Sequence, residues 1–352
     1  MCLPPDPKSA VVTDDDSDGA PETHAAAPAA KRGRWDLPMP RFNAAHKPYP
    51  LDKRLNLLFE DLPGVQLSPL YLLELPIFAY LAYAYRAEFR TWMLKPMFAL
   101  YLFRECFGMS LSLHRYFSHK GFQCGRAAQF VLWWLGCMAS QGPPLWWASK
   151  HRRHHAKCDT EEDPHTPVCF NPLYAWVGWT YLPGAEGPFG RGIDEEYVGD
   201  HMKFPELVYG ETFHMVPVFV THAICYKLGG APYAIYISML SGMVCQLATM
   251  YFNVAFHTPE DGGTHEANGE CHARDIPLDP LSNVFGEAYH AWHHIHPRAH
   301  WRPGIDLPYF LGIWPMLKLG VFRGPNIMHK AKLAVHGFDP KTGERIDPKK
   351  TY

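Results

Sequence analysis

What the chain lacks narrows its class first. With 33 Lys and Arg against 35 Asp and Glu, net charge −2, there is no basic excess to lay against a phosphate backbone, so no nucleic-acid partner is expected. The nine cysteines (2, 106, 124, 137, 158, 169, 225, 245 and 271) are odd in number and share no paired spacing. They read as reduced thiols rather than a disulfide framework. The first thirty residues carry an acidic run (VVTDDDSDG) and no apolar core, which excludes a signal peptide and disfavours a transit peptide; 1–34 is expected to be a disordered tail. No internal repeat is evident beyond two histidine triplets. Mean hydropathy is only −0.21, and none of the long apolar runs is clean.

Those runs are nonetheless informative. Residues 69–85 and 93–113 form one pair, and 213–228 and 233–252, joined by Gly229 and Gly230, form another. Each is long enough, or nearly so, for a hydrocarbon core that takes about 20 helical residues. Glu74, Arg104, Glu105, His214 and His222 interrupt them, and such ionisable groups are expected to face the bundle interior or a partner. Each pair ends directly on residues that can bind a metal: His114 after the first, Asn253 and His257 after the second.

Ten such residues fall in four clusters: His114 and His119; His151, His154 and His155; Asn253 and His257; and His290, His293 and His294. The two triplets share one spacing, HRRHH and HAWHH, and positions i, i+3 and i+4 project from one helical face. His114 and His119 differ, because five residues advance an α-helix by about 140°. The helix is therefore expected to end between them. Nine imidazoles and an amide exceed what one four-coordinate ion takes, so two metals with four or five ligands each is the economical reading. Imidazole accepts zinc, iron, copper or nickel, and the residues alone do not choose.

A neutral ligand set leaves about four positive charges to be offset nearby. Asp159, Glu161, Glu162 and Asp163 follow the second cluster, and Glu287 lies three residues before His290; Asp163 and Glu287 are the favoured carboxylates to orient ligand rings. His165, His265, His272, His296 and His300 are expected to be neighbours or surface residues.

A shared site also constrains topology, since an even number of crossings must separate the clusters. Residues 127–147 are long enough to cross but contain Ser140, Gln141, Gly142, Pro143 and Pro144, so an interfacial or re-entrant segment is expected. Four spans then put every cluster on one face, with Lys120, Lys150, Arg152, Arg153 and Lys157 marking it as cytosolic. Arg86, Arg90 and Lys95 in the opposite loop run against that count.

The motifs HRYFSH (114–119), KHRRHH (150–155) with EEDPHTP, NVAFH (253–257), GEAYHAWHHIHP (286–297) and the short Val177-Gly178-Trp179 stretch resemble those of membrane-bound fatty acid desaturases, specifically the acyl-CoA delta-9, or stearoyl-CoA, type. The likeness covers roughly residues 70–320. It implies an all-α integral membrane fold, four transmembrane helices carrying a cytosolic helical cap, within a domain of 35–325 followed by a tail at 326–352. It implies a di-iron centre held by the nine histidines, with Asn253 acting through water, which uses O2 to remove hydrogen from two adjacent methylenes of an acyl chain; Trp147 matches an aromatic that flanks the substrate path.

Electrons would come from an external donor, cytochrome b5 with its NADH-dependent reductase, because no HPGG haem motif is present. Location in the endoplasmic reticulum membrane, multi-pass with both termini cytosolic, fits Lys349 and Lys350 near the end of the sequence. One departure concerns the carrier: Ser149 and Lys150 stand where the delta-9 type commonly has an Arg-Asp pair near the CoA portion. An acyl-lipid desaturase or lipid hydroxylase with the same metal site, and a zinc-binding membrane protein without enzymatic activity, are the alternatives.

Overall fold

The computed structural model describes residues 68–160, 162–181, 193–257 and 271–323. The expected tails at 1–34 and 326–352, the Lys349-Lys350 pair, Glu161 and His265 lie outside them.

Helix α1 (Ser68–Ala84) is followed, after two short 3-10 turns, by α2 (Leu94–Phe103). Arg104 keeps right-handed helical angles at the end of α2, so the chain passes unbroken into a π-helix, Arg104–Ser118. Helices α3 (Arg126–Met138) and α4 (Pro144–Lys157) follow and pack on that π-helix. At about 1.5 Å per residue, the 13 residues of α3 reach roughly 20 Å, short of a hydrocarbon core of about 30 Å. The expected interruption falls at 139–143, where Ser140 (φ 56°) and Gly142 (φ 89°) turn the chain. A Cβ on Gly142 would sit 2.9 Å from the Trp146 ring, so glycine serves both the dihedral and the close approach. Pro144 then opens α4, where its missing N–H costs nothing.

After α5 (Glu195–Met202) and α6 (Pro205–Phe213), the helical run Met215–Ala255 is long and apolar enough to cross a membrane. It is not one straight helix. Within α7 (Met215–Tyr233), Gly229 and Gly230 leave helical geometry, Gly230 at φ 73°, and the chain re-enters through a π segment, Ala234–Met239, into α8 (Leu240–Ala255). The short helices α9 (Pro280–Val284) and α10 (His290–Ile295) follow, and strands β1 (Gln123–Cys124) and β2 (Phe322–Arg323) pair antiparallel, with Phe122 stacked on Phe322.

Burial in the helical bundle is inverted relative to a soluble protein. Leu75, Ile77, Tyr80 and Tyr83 of α1, Phe98 and Phe103 of α2, and Phe219, Val220, Ile224 and Leu228 of α7 face outward, while Arg104, Glu105, Ser238, Ser241 and Gln246 are buried. Arg104 donates to the Met138 carbonyl at 2.8 Å and to Ser140 Oγ at 2.9 Å, and Glu105 accepts from Cys245 Sγ at 3.1 Å. The expected interior orientation is found, with hydroxyl, carbonyl and thiol groups as the partners of this charged pair.

Candidate metal centre

Four segments deliver the histidines to one place. His114 lies in the last turn of the π-helix and His119 directly after it. The helix does end between them, but only after Ser118, and π winding brings the rings together. The His119 N–H bonds to the His114 carbonyl at 3.2 Å, an i+5 to i closure that stacks the two residues, with ring centroids 5.0 Å apart. Helix α4 carries His151, His154 and His155, and α10 carries His290, His293 and His294. His257 follows the end of α8, and Asn253 lies on its final turn.

The nine rings sort into two adjoining groups, His114, His119, His151, His155 and His293, and then His154, His257, His290 and His294; within each, the candidate ligand atoms lie within 4.8 Å of one another. The meeting atoms are Nε2 throughout. His114 and His293 meet at 2.9 Å, His119 and His151 at 2.9 Å, and His155 and His293 at 3.0 Å. In the second group His257 and His290 meet at 2.8 Å, and His294 and His290 at 3.0 Å. Among the described residues these five contacts join rings from all four clusters.

The outer ring nitrogens decide what those contacts mean. Glu287 Oε1 lies 3.0 Å from His114 Nδ1, and Asp163 Oδ2 lies 2.8 Å from His154 Nδ1. Asp159 Oδ2 is 3.4 Å from His257 Nδ1, and the Cys271 sulfur is 3.5 Å from His294 Nδ1. A neutral imidazole has one N–H; donated outward from Nδ1, it leaves a bare lone pair on Nε2. His154 and His294, each with its N–H turned outward, meet Nε2 to Nε2 at 3.4 Å, and bare lone pairs so opposed repel unless a cation stands between them; with the rings in two groups, this donor set fits a pair of metal ions. Protonation is no remedy. Burial first, then the neighbouring rings, hold His119, His151, His155, His290 and His294 well below the usual histidine range.

Three carboxylates thus stand behind the rings. Asp163 faces His154, Glu287 faces His114 and Asp159 faces His257. Burial would raise the Glu287 carboxyl, but His114, Arg302 and Arg115 outweigh it and hold the group at about 2. Ser110 Oγ donates to it at 2.6 Å. Asp159 is similarly held low against its burial by His257, Thr166 and the His272 N–H. Glu162 instead pairs with Lys157 at the surface. His165 is buried against His154 with ring centroids 4.6 Å apart, and His296 packs on Trp292.

Beside both groups lies a cavity of about 230 Å³, lined by His114, His154, His257 and His290 together with Met109, Phe252, Phe256 and Phe285. Trp147 lines it too, stacked on His151 with centroids 4.9 Å apart, as does Asn253. Sequence reasoning missed Ser110 and Arg115, and it expected Glu105 in the bundle interior without foreseeing that it lines this cavity. Ser110 sits one turn before His114 and gave no signal, whereas Arg115 adjoins it and is fixed by Asp306 at 2.8 Å.

One expectation is corrected. Cys158 and Cys271 are joined by a disulfide across 113 residues of sequence and Cys169 is also disulfide-bonded, whereas all nine cysteines were expected to be reduced. No spacing rule covers so long a separation; only the fold that brings α4 beside the approach to α10 makes the pair.

Two groups of imidazoles backed by carboxylates and lining an apolar cavity define a candidate dinuclear centre. The family comparison agrees: the fatty acid desaturase family model matches residues 90–302, and the chain belongs to that family. Among curated relatives, an acyl-CoA C20 Delta5-desaturase of Anemone leveillei is 27% identical over 67% of this chain and 76% of its own length. A hex-5-enoyl-[acyl-carrier protein] acetylenase of Moorena producens is 30% identical over 61% and 71%. An sn-2 palmitoyl-lipid 9-desaturase of Nostoc is 27% identical over 54% and 65%. The chain is accordingly an oxidoreductase of the acyl desaturase kind.

Proposed function

We propose that this chain introduces a cis double bond into a saturated acyl chain, at a delta-9-like position, using O2 and two iron ions held by His114, His119, His151, His154, His155, His257, His290, His293 and His294, with Asn253 contributing through water. The observation that carries the reading is the convergence of histidine Nε2 atoms from four segments beside an apolar cavity. Bound iron supplies the oxidising power for removing two hydrogens from adjacent methylenes. The residues supply the rest. Asp163, Asp159 and Glu287 hold the outer N–H of their histidines, so the inner nitrogens face the metal unprotonated. Phe252, Phe256, Phe285 and Trp147 exclude water and fix the chain, and regioselectivity follows from which carbon they present.

In this reading α1, α2 with the π-helix, α7 and α8 are four spans in the endoplasmic reticulum membrane, supported by their apolar outward faces, and α3, α4 and α10 belong to a cytosolic cap. Cytochrome b5 and its NADH-dependent reductase supply electrons. The carrier in the first reading is acyl-CoA. One observation favours an acyl-lipid carrier: Lys150, where the delta-9 type commonly contacts CoA, is 1% exposed and bound to Asp194 at 3.0 Å.

Expression in yeast lacking its own desaturase, with mass-spectrometric location of double bonds in recovered lipids, tests the proposal. A new cis double bond, absent with His154→Ala at equal membrane abundance, is expected; a hydroxylated product, or full activity in that variant, would refute it. Feeding labelled acyl-CoA to membranes and asking whether product appears in the CoA pool before the lipid pool separates the carriers.

A further inference from the structure

At the outer ring nitrogens of the second group, and outside the cavity lining, sits a sulfur pair that the desaturase reading does not use. Cys158 is the first residue after α4, three residues beyond His155, and Cys271 opens the segment leading to α10. Both are buried, at 2% and 3% exposure. Their sulfurs touch the outer nitrogens of two rings: Cys271 Sγ lies 3.5 Å from His294 Nδ1, and Cys158 Sγ lies 3.9 Å from His257 Nδ1. Asp159 completes the cluster, its Oδ2 3.4 Å from His257 Nδ1 and 3.7 Å from the Cys158 sulfur. None of the five histidines of the first group appears in these contacts.

We propose that the Cys158–Cys271 bond is a clasp that positions His257 and His294, so that its thiol state sets how firmly the second metal alone is held. The inference rests on the di-iron reading above. Its physical basis is that His257 and His294 arrive from different segments, α8 and α10, and this bond is the cross-link among the described residues between either segment and α4, which brings His154 to the same group. The bond ties α4 to the approach to α10 and places a sulfur acceptor on the His294 N–H, fixing its tautomer as a carboxylate fixes that of His114 or His154. The first group takes only His293 from α10, its His114 is oriented by Glu287, and no sulfur touches the outer nitrogen of any of its rings among the described contacts. Burial shields the sulfurs from cellular thiols, so the bond opens only with local movement of the cap.

Opening is a two-electron reduction. With a water-soluble phosphine, the phosphorus takes the oxygen of one water as its oxide, the S–S bond breaks, and each sulfur leaves with one proton as a thiol. Cys158 and Cys271 are positioning residues here and touch no substrate.

The test uses full-length protein in detergent, loaded anaerobically with ferrous iron, with release to a coloured ferrous chelator followed with and without phosphine. Two kinetic phases of equal amplitude are expected. Reduction should speed one phase 10- to 100-fold, about the range for loss of a group that orients a metal-binding ring, and leave the other unchanged. Cys158→Ser/Cys271→Ser should show the same fast phase without phosphine and no response to it, with helical content by circular dichroism equal to wild type. Alkylation under denaturing, non-reducing conditions should leave this pair unlabelled in the wild type. Both phases responding equally, neither responding, or both cysteines alkylated would overturn the clasp. Wild-type protein that takes up no iron would instead refute the di-iron reading, whatever the state of the sulfurs.

Discussion

Replacing Asp163 by Asn is the sharpest test of how the carboxylates work. Asp163 Oδ2 accepts from His154 Nδ1 at 2.8 Å and from the Asp159 N–H at 2.9 Å, while Oδ1 accepts from the His165 N–H at 3.1 Å. Three donors thus converge on two acceptor oxygens. Asparagine offers one oxygen and one NH2 in the same space, and neither orientation satisfies all three. If its oxygen faces His154 and Asp159, the NH2 meets the His165 N–H; if it flips, the NH2 meets the His154 N–H and drives that ring toward the wrong tautomer. The side chain is buried, so water cannot take the orphaned donor. Loss of such a partner costs about 10- to 100-fold in metal affinity, or about 1.4–2.7 kcal/mol.

His154 belongs to the second group only, so the loss should fall on one iron of the pair. Competition against a graded series of ferrous chelators, with iron per chain read by elemental analysis, should show one ion lost earlier and the other unmoved. Glu287→Gln should do the converse, because Glu287 holds His114 of the first group. An Asp163→Asn protein that keeps both ions at the wild-type midpoint, or loses both together, would refute the reasoning.

Other consequences follow from particular side chains. Gly142→Ala forces a Cβ to within 2.9 Å of the Trp146 ring at φ 89°, a strain of about 1–3 kcal/mol at the start of the histidine-bearing helix; turnover should fall with membrane abundance retained, as read by product yield per chain. Trp147→Ala opens the cavity beside His151 and His114 and should shift double-bond position or preferred chain length, as read by mass spectrometry. Burial holds His201 down to about 4, with its Nε2 2.8 Å from the Phe117 carbonyl. Its folded value lies below the unfolded one, so the stability it contributes is present above about pH 6.5 and is lost as pH falls toward 4, by about 3 kcal/mol in all. His201→Asn should flatten the melting temperature of the metal-free protein across that window.

The helical pairs and ligand clusters were legible because each rests on a short-range signal. Apolar length located α1, α2 together with the π-helix, α7, and α8 together with the Ala234–Met239 segment, each boundary to within about five residues, and the i, i+3, i+4 spacing located the faces of α4 and α10. The His114–His119 geometry was not legible, because an α-helical angle gives the wrong face, and nothing in RECFGMSLSLHRYFS announces the i+5 bonding that corrects it. Asp163 and Glu287 could be anticipated from their closeness in sequence to ligands. Ser110 and the Cys158–Cys271 bond could not, since their partners lie 177 and 113 residues away.

The central claim is that nine histidines from four segments hold a pair of iron ions, and metal content measures it most directly. Protein purified from iron-supplemented cells should carry about two iron ions per chain by elemental analysis, falling to about one in His290→Ala, since His290 serves only the second group. Zinc in place of iron, or iron content unchanged in His290→Ala, would contradict the account.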